Sequence, residues 1–243
     1  MQNFYRGEKH QWIRSGNLTG INGFCDPQSL IYLRKRLSHY EFPSISFLGS
    51  GNYHYVSFLL MERIRTDFDL VLFDHHSDMQ KPALENILSC GNWVRWSAGM
   101  LRCLRQIFLV GTGKKSESRS AFMLKGKPVS VIPAQEISSQ SSLTKGLFSR
   151  IRRPAYLSVD KDVFRKDTAS TNWDQGLMNM REFEGIFCKI AALQKIMGMD
   201  VCGEFPPLYG EPFRFRYANA KNSRANRYLL RLWEKAQSGT NHS

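Results

Sequence analysis

No uninterrupted apolar run in this chain approaches the roughly 20 residues that span a bilayer, so a membrane-spanning helix is not expected. The first residues, Met1 to Arg14, lack an apolar signal core and a small-residue cleavage site, which points to the cytoplasm. Cysteine is scarce as well. Cys25, Cys90, Cys103, Cys188 and Cys202 are odd in number, far apart and without a CxxC pair, which argues against a disulfide framework and a zinc knuckle. Cys103 and Cys188 read as small hydrophobes on apolar helix faces. Cys90 and Cys202, each followed by glycine, fall near loop or strand ends, with a pocket-lining role as the minority reading. Acidic residues are in deficit, 21 against 34 Lys and Arg, for a formal net charge of +13. The basic clusters Arg34-Lys35-Arg36, Lys114-Lys115, Arg150 to Arg153 and Arg214 to Arg231 are short and scattered. They predict a generally basic, solvated surface, with attraction of an acidic substrate or RNA as the minor alternative.

The 243 residues are 42% hydrophobic, 23% charged and 12% aromatic, an ordinary globular balance. With no linker composition in sight, a single domain over 1–243 is expected. Low complexity is confined to Ser138 to Ser142, read as a loop, and to Gln237 to Ser243, read as a disordered tail. Apolar, β-branched runs predict strands over Ser44 to Leu48, Leu70 to Phe73, Gln106 to Val110, Val129 to Ile132, Ala155 to Val159 and Met199 to Cys202. Between them lie helical patterns at Asp26 to His39, Tyr55 to Arg65, Met180 to Ile196 and Asn222 to Ala236, the first opened by an Asp26 cap with Pro27 behind it. This alternation predicts an α/β/α three-layer fold around a mainly parallel sheet.

Asp74-His75-His76-Ser77-Asp78 follows the run Leu70 to Phe73 directly and packs several potential metal ligands into five residues. Side chains alternate along a strand, so Asp74 and His76 share a face. Asn52-Tyr53-His54 and Ser158-Val159-Asp160-Lys161-Asp162 follow other strand-like runs with the same donor types. In parallel sheets ligands bind beyond the carboxyl ends of strands, which is where His54, Asp74, Asp160 and Glu204 fall. Taken singly, an aspartate after a strand is a helix cap and His54 a core histidine. Taken together, so many carboxylates on one edge call for cations. Carboxylates with a minority of imidazoles suit Mn²⁺, Mg²⁺, Fe²⁺ or Zn²⁺, and the set is large enough for two ions with an activated water between them.

The stretches D-H-H-S-D, S-V-D-K-D and G-N-Y-H resemble, in order and spacing, the D-A-H-x-D, S-x-D-x-D and G-G-D-H motifs of the arginase/agmatinase (ureohydrolase) family. The resemblance runs from about Ser44 to Pro207. It implies an arginase-like fold with two Mn²⁺, other divalent ions such as Ni, Fe, Zn or Co being alternatives. His54, Asp74, Asp78 and Asp160 would hold one ion, and Asp74, His76, Asp160 and Asp162 the other. It further implies Asp78 as the residue assisting proton transfer and Glu204 as the anchor of a guanidinium, with Asn92, Trp93 and Asn172 as substrate contacts in neighbouring loops. The activity implied is hydrolysis of a C–N bond in a small guanidino, amidino or formimino compound. Alternatives keep the metals but act as a deacetylase or phosphoesterase, or turn nothing over. A homo-oligomer is the partner that the family implies. The chain departs from the motifs where Tyr53 replaces an aspartate before the histidine, where Arg165 and Lys166 follow S-V-D-K-D, and where Ser89-Cys90-Gly91-Asn92-Trp93 carries no histidine.

Overall fold

A computed structural model describes residues 2, 4–15, 18–42, 44–82, 87–113, 121–137, 142–207 and 211–239. Lys114-Lys115, most of the Ser138 to Ser142 run and the last four residues of the expected tail lie outside them.

The sheet strands are β2 (Ile45–Phe47), β3 (Phe68–Phe73), β5 (Leu104–Thr112), β6 (Ala121–Leu124), β7 (Lys127–Pro133), β8 (Ala155–Asp160) and β9 (Ile196–Cys202), in spatial order β2-β9-β8-β3-β5-β7-β6. Every neighbour pair is parallel except the hairpin β6–β7. All six expected strands are present. The extra strand, β6, forms because Lys125 and Gly126 both take positive φ, 49° and 79°, which turns the chain back in two residues. A short pair, β1 (Phe24–Cys25) with β4 (Leu88–Ser89), stands apart.

Period-2 alternation divides the core into two. Leu70 and Leu72 of β3 pack on one side with residues of α1 (Pro27–Leu37), α2 (Val56–Met61) and α3 (Trp93–Met100). Val71 and Phe73 pack on the other with α5 (Met180–Leu193) and α6 (Pro212–Gly239), while α4 (Ser142–Arg150) sends Phe148 to the same cluster. Because both faces are covered, all of Leu70 to Phe73 is buried, as expected of a parallel sheet. The three-layer, mainly parallel architecture is as the sequence predicts.

Several boundaries differ. Asp26 caps α1 by accepting from the Gln28 and Ser29 amides, as expected. By contrast α2 stops at Met61, and the first turns of α6 begin ten residues earlier than the apolar stripe indicates. The start of the expected tail, through Gly239, continues α6 rather than fraying. Cys103 lies in the turn before β5, and Cys188 is exposed because the buried stripe of α5 runs through Phe183, Ile186, Phe187 and Ile190 instead.

Candidate metal centre

The strand order reverses about β3: outward from it lie β5, β7 and β6 on one side, and β8, β9 and β2 on the other, to which the chain returns after β7. Carboxyl ends at such a switch point diverge and leave a crevice. Register then decides what lines it. Phe73 pairs with Val159, so Asp74 and Asp160 emerge side by side, and Asp160 is paired in turn with Cys202.

His54 closes the 3₁₀ turn Gly51–Tyr53, whose first residue must be small. A Cβ on Gly51 would lie 2.8 Å from Asp160 Oδ2 and 3.2 Å from the Trp173 indole. His54 is 1% exposed, and its Nδ1 lies 3.3, 3.1 and 3.7 Å from carboxylate oxygens of Asp74, Asp78 and Asp160. His76 Nδ1 is 2.8 Å from Asp162 Oδ2 and 3.6 Å from Asp74 Oδ1. Thus five of the six expected metal-binding residues fall into the overlapping groups His54-Asp74-Asp78 and Asp74-His76-Asp162, and Asp160 joins them through His54. A third group joins His54 and Asp160 to Cys202. Backbone amides stiffen the loops: His76 donates to Asp74 Oδ1 (2.6 Å), His75 to Asp162 Oδ1 (3.0 Å) and Asp162 to Asp160 Oδ1 (2.9 Å).

The electrostatics are those of an excess of negative charge. Burial, then the neighbouring Asp162, raises Asp160 to about 6, and burial with Asp74 raises Asp162 to about 7. Hydrogen bonds to Asp162 and Asp74 push His76 up to about 11. Four carboxylates with two imidazoles form a hard-donor set, and such crowding is relieved by divalent cations. The residues fit that requirement.

Lys161, between the two aspartates in sequence, is fully buried, meets Glu204 and donates to Asn226 Oδ1 (3.0 Å). Glu204 also accepts from Asn226 (2.7 Å), Asn222 (3.0 Å) and Gln2 (2.6 Å). Burial works to raise its pKa, but Lys161 and the two asparagines outweigh that and hold it below the ordinary value.

The expected substrate contacts sit differently from one another. Asn92 is buried, and its carboxamide closes its own loop onto Ser89 N and Ile87 O. Trp93 is fully buried at the start of α3; its Nε1 donates to Asp78 Oδ2 at 2.6 Å, and its ring centroid is 4.7 Å from that of His54. Asn172 is exposed, while the adjacent Trp173 reaches the His76 ring at 5.9 Å.

Four participants were not found from the sequence: Lys161, Trp173, Ser158 and Asp200. His54 Nε2 and Ser158 Oγ are 2.9 Å apart, and Ser158 donates to Asp200 Oδ1 (2.8 Å), which Tyr156 meets at Oδ2 (2.7 Å). This chain of groups orients His54 where Tyr53 stands in the aspartate's usual place. Alternation along β8 could have indicated Ser158, two residues before Asp160 on the same face.

Fold and site together define an α/β protein with a carboxylate–imidazole cluster at the switch point of a parallel sheet. The Arginase family model matches residues 52–214, more than half of the sequence, and the chain belongs to the arginase family. An uncharacterized protein of Thermotoga maritima is 29% identical over 198 residues, covering 82% of this chain and 72% of its own. Among solved structures, the proclavaminate amidino hydrolase of Streptomyces clavuligerus superposes with TM-score 0.62 at 17% identity over 90% of this chain and 74% of its own. The agmatine ureohydrolase of Thermoplasma volcanium gives 0.61 at 18%, over 88% and 69%. A hypothetical agmatinase of Burkholderia thailandensis gives 0.60 at 19%, over 86% of this chain, which spans 64% of that protein's length. At these identities the structural likeness speaks for the fold.

Proposed function

We propose that the protein is a binuclear divalent-metal hydrolase that cleaves a C–N bond in a small guanidino, amidino or formimino compound, with manganese as the metal the resemblance implies. The observation that carries this reading is the convergence of His54, Asp74, His76, Asp78, Asp160 and Asp162 on one sheet edge. His54, Asp74, Asp78 and Asp160 would hold one cation, and Asp74, His76, Asp160 and Asp162 would hold the other. When bound, the pair supplies positive charge and the activation of water for attack on an amidine carbon. The remaining work falls to the chain. Asp78, its carboxylate steadied by the Trp93 indole, accepts and passes on a proton. Trp173, against His76, limits access of water, and Asn172 beside it contacts the substrate's outer part. Glu204 accepts N–H groups of the substrate as Gln2 is displaced from it.

Manganese-loaded protein should release urea, ammonia or formamide from at least one member of a panel of guanidino, amidino and formimino compounds, and Glu204→Gln should lose that activity while keeping its metal. Absence of any product with two metals bound per chain would defeat the proposal. A second reading, hydrolysis of a neutral acylated amine at the same site, is favoured by Lys161, which already offsets the charge of Glu204. Acetylated polyamines in the same panel distinguish it.

A further inference from the structure

Cys202 is the register partner of Asp160, so both side chains leave the sheet on one face. Its Sγ lies 3.1 Å from Asp160 Oδ2, and donor atoms of His54, Asp160 and Cys202 all fall within 4.8 Å of one another. The three are 1%, 4% and 0% exposed. A buried free cysteine is ordinarily a small hydrophobe among apolar neighbours. This one faces a carboxylate and an imidazole instead. The backbone beyond it is shaped to keep it there. Gly203 takes φ +83°, and a Cβ at that position would lie 2.3 Å from Asp160 Oδ1 and 2.7 Å from the Lys161 amide. No residue but glycine turns the chain there without pushing β9 away from Asp160.

We propose that Cys202 gives its sulfur to the cation position defined by His54 and Asp160, making that position a mixed nitrogen, oxygen and sulfur site that selects Zn²⁺, Fe²⁺ or Co²⁺ over Mn²⁺ and Mg²⁺. The inference rests on the two-cation reading and deepens it. Thiolate donors favour the softer ions, while the neighbouring position of Asp74, His76, Asp160 and Asp162 keeps its hard-donor character. On binding, the S–H bond breaks heterolytically: the electron pair becomes the donor to the cation and the proton leaves to solvent. Metal uptake at this position therefore releases the thiol proton along with any that the carboxylates hold.

The test uses the full-length protein. Loaded with Co²⁺, the wild type should show a near-ultraviolet sulfur-to-cobalt charge-transfer band that disappears in Cys202→Ser and persists in Cys188→Ser. Loaded with Zn²⁺, its X-ray absorption should require one sulfur at about 2.3 Å beside nitrogen and oxygen at about 2.0–2.1 Å. In competition between Zn²⁺ and Mn²⁺, Cys202→Ser should shift the bound ratio toward manganese by roughly tenfold or more, the scale on which groups supporting a metal site act. Two metals per chain with a purely nitrogen and oxygen shell in the wild type would overturn the sulfur assignment and leave the two-cation reading standing. No stoichiometric metal at all would overturn both. The wild-type spectra decide the matter even if Cys202→Ser fails to fold.

Discussion

Asp160 and Glu204 end adjacent strands of one sheet edge, yet their carboxylates live in opposite environments. Asp160 is driven up to about 6 by burial and then by the neighbouring Asp162, whereas Glu204 is met by Lys161, Asn222 and Asn226, which outweigh burial and hold it below its ordinary value. The three residues Asp160-Lys161-Asp162 produce both: the aspartates join the carboxylate cluster, while the lysine that opens the 3₁₀ turn between them goes to Glu204. One side is short of positive charge and has room for cations from outside. The other carries its own cation within the fold.

The widest test of that difference is to remove a shared carboxylate. Asp160→Ala should abolish stoichiometric metal binding by elemental analysis and take hydrolysis below detection, while circular dichroism stays that of a folded chain. Retention of two metals would erase the distinction. On the balanced side, Lys161→Met leaves the part-buried Glu204 without its ammonium and should cost about 1–3 kcal/mol of unfolding free energy, less than a fully buried pair because Glu204 keeps some contact with water. Adding Glu204→Gln should recover part of it; additivity of the two losses in denaturant melts would show that the pair is not coupled.

Chelation sharpens the comparison through pH. Burial, with the charge of neighbouring aspartates, pushes Asp160 and Asp162 up to about 6 and about 7 in the fold, against 3.8 ordinarily. Between roughly pH 4 and 7 the folded, metal-free chain therefore holds protons that the unfolded chain has released, and its stability falls as pH rises through that window. The melting temperature gained on adding metal should grow from about pH 5 to about pH 8, with about 2.7 kcal/mol reached at a hundredfold excess over Kd. A gain that shrinks with pH would contradict the electrostatic picture. A smaller effect is expected at Ser158. Ser158→Ala frees the His54 ring from Asp200 and should weaken metal binding by about 10–100-fold without unfolding the chain, as measured by competition with a chromophoric chelator.

Much of this was legible in the residue order. Apolar runs followed at once by Asp or His marked the strands and the ligands together, since strand ends and donor positions coincide in a parallel sheet. The elements that escaped did so for physical reasons. α3 begins in Asn92-Trp93, which reads as a polar loop, because the helix is held by burial of Trp93, Val94, Ser97 and Ala98 rather than by a cap bond from the Asn92 side chain. The start of α6, rich in Arg, has no apolar stripe to announce it, and further along the burial of Asn222 and Asn226 is explained only by their tertiary partners, among them Glu204 and Lys161.

The order of amino acids by itself determined which donors this protein owns, their attachment to strand ends and the fold class, because periodicity and composition act over a few residues. Only the tertiary structure decided which face each charge takes, that Cys202 stands beside Asp160 and that Lys161 balances Glu204. Those outcomes depend on strand order and register, which bring together groups more than forty positions apart and have no local signal in the chain.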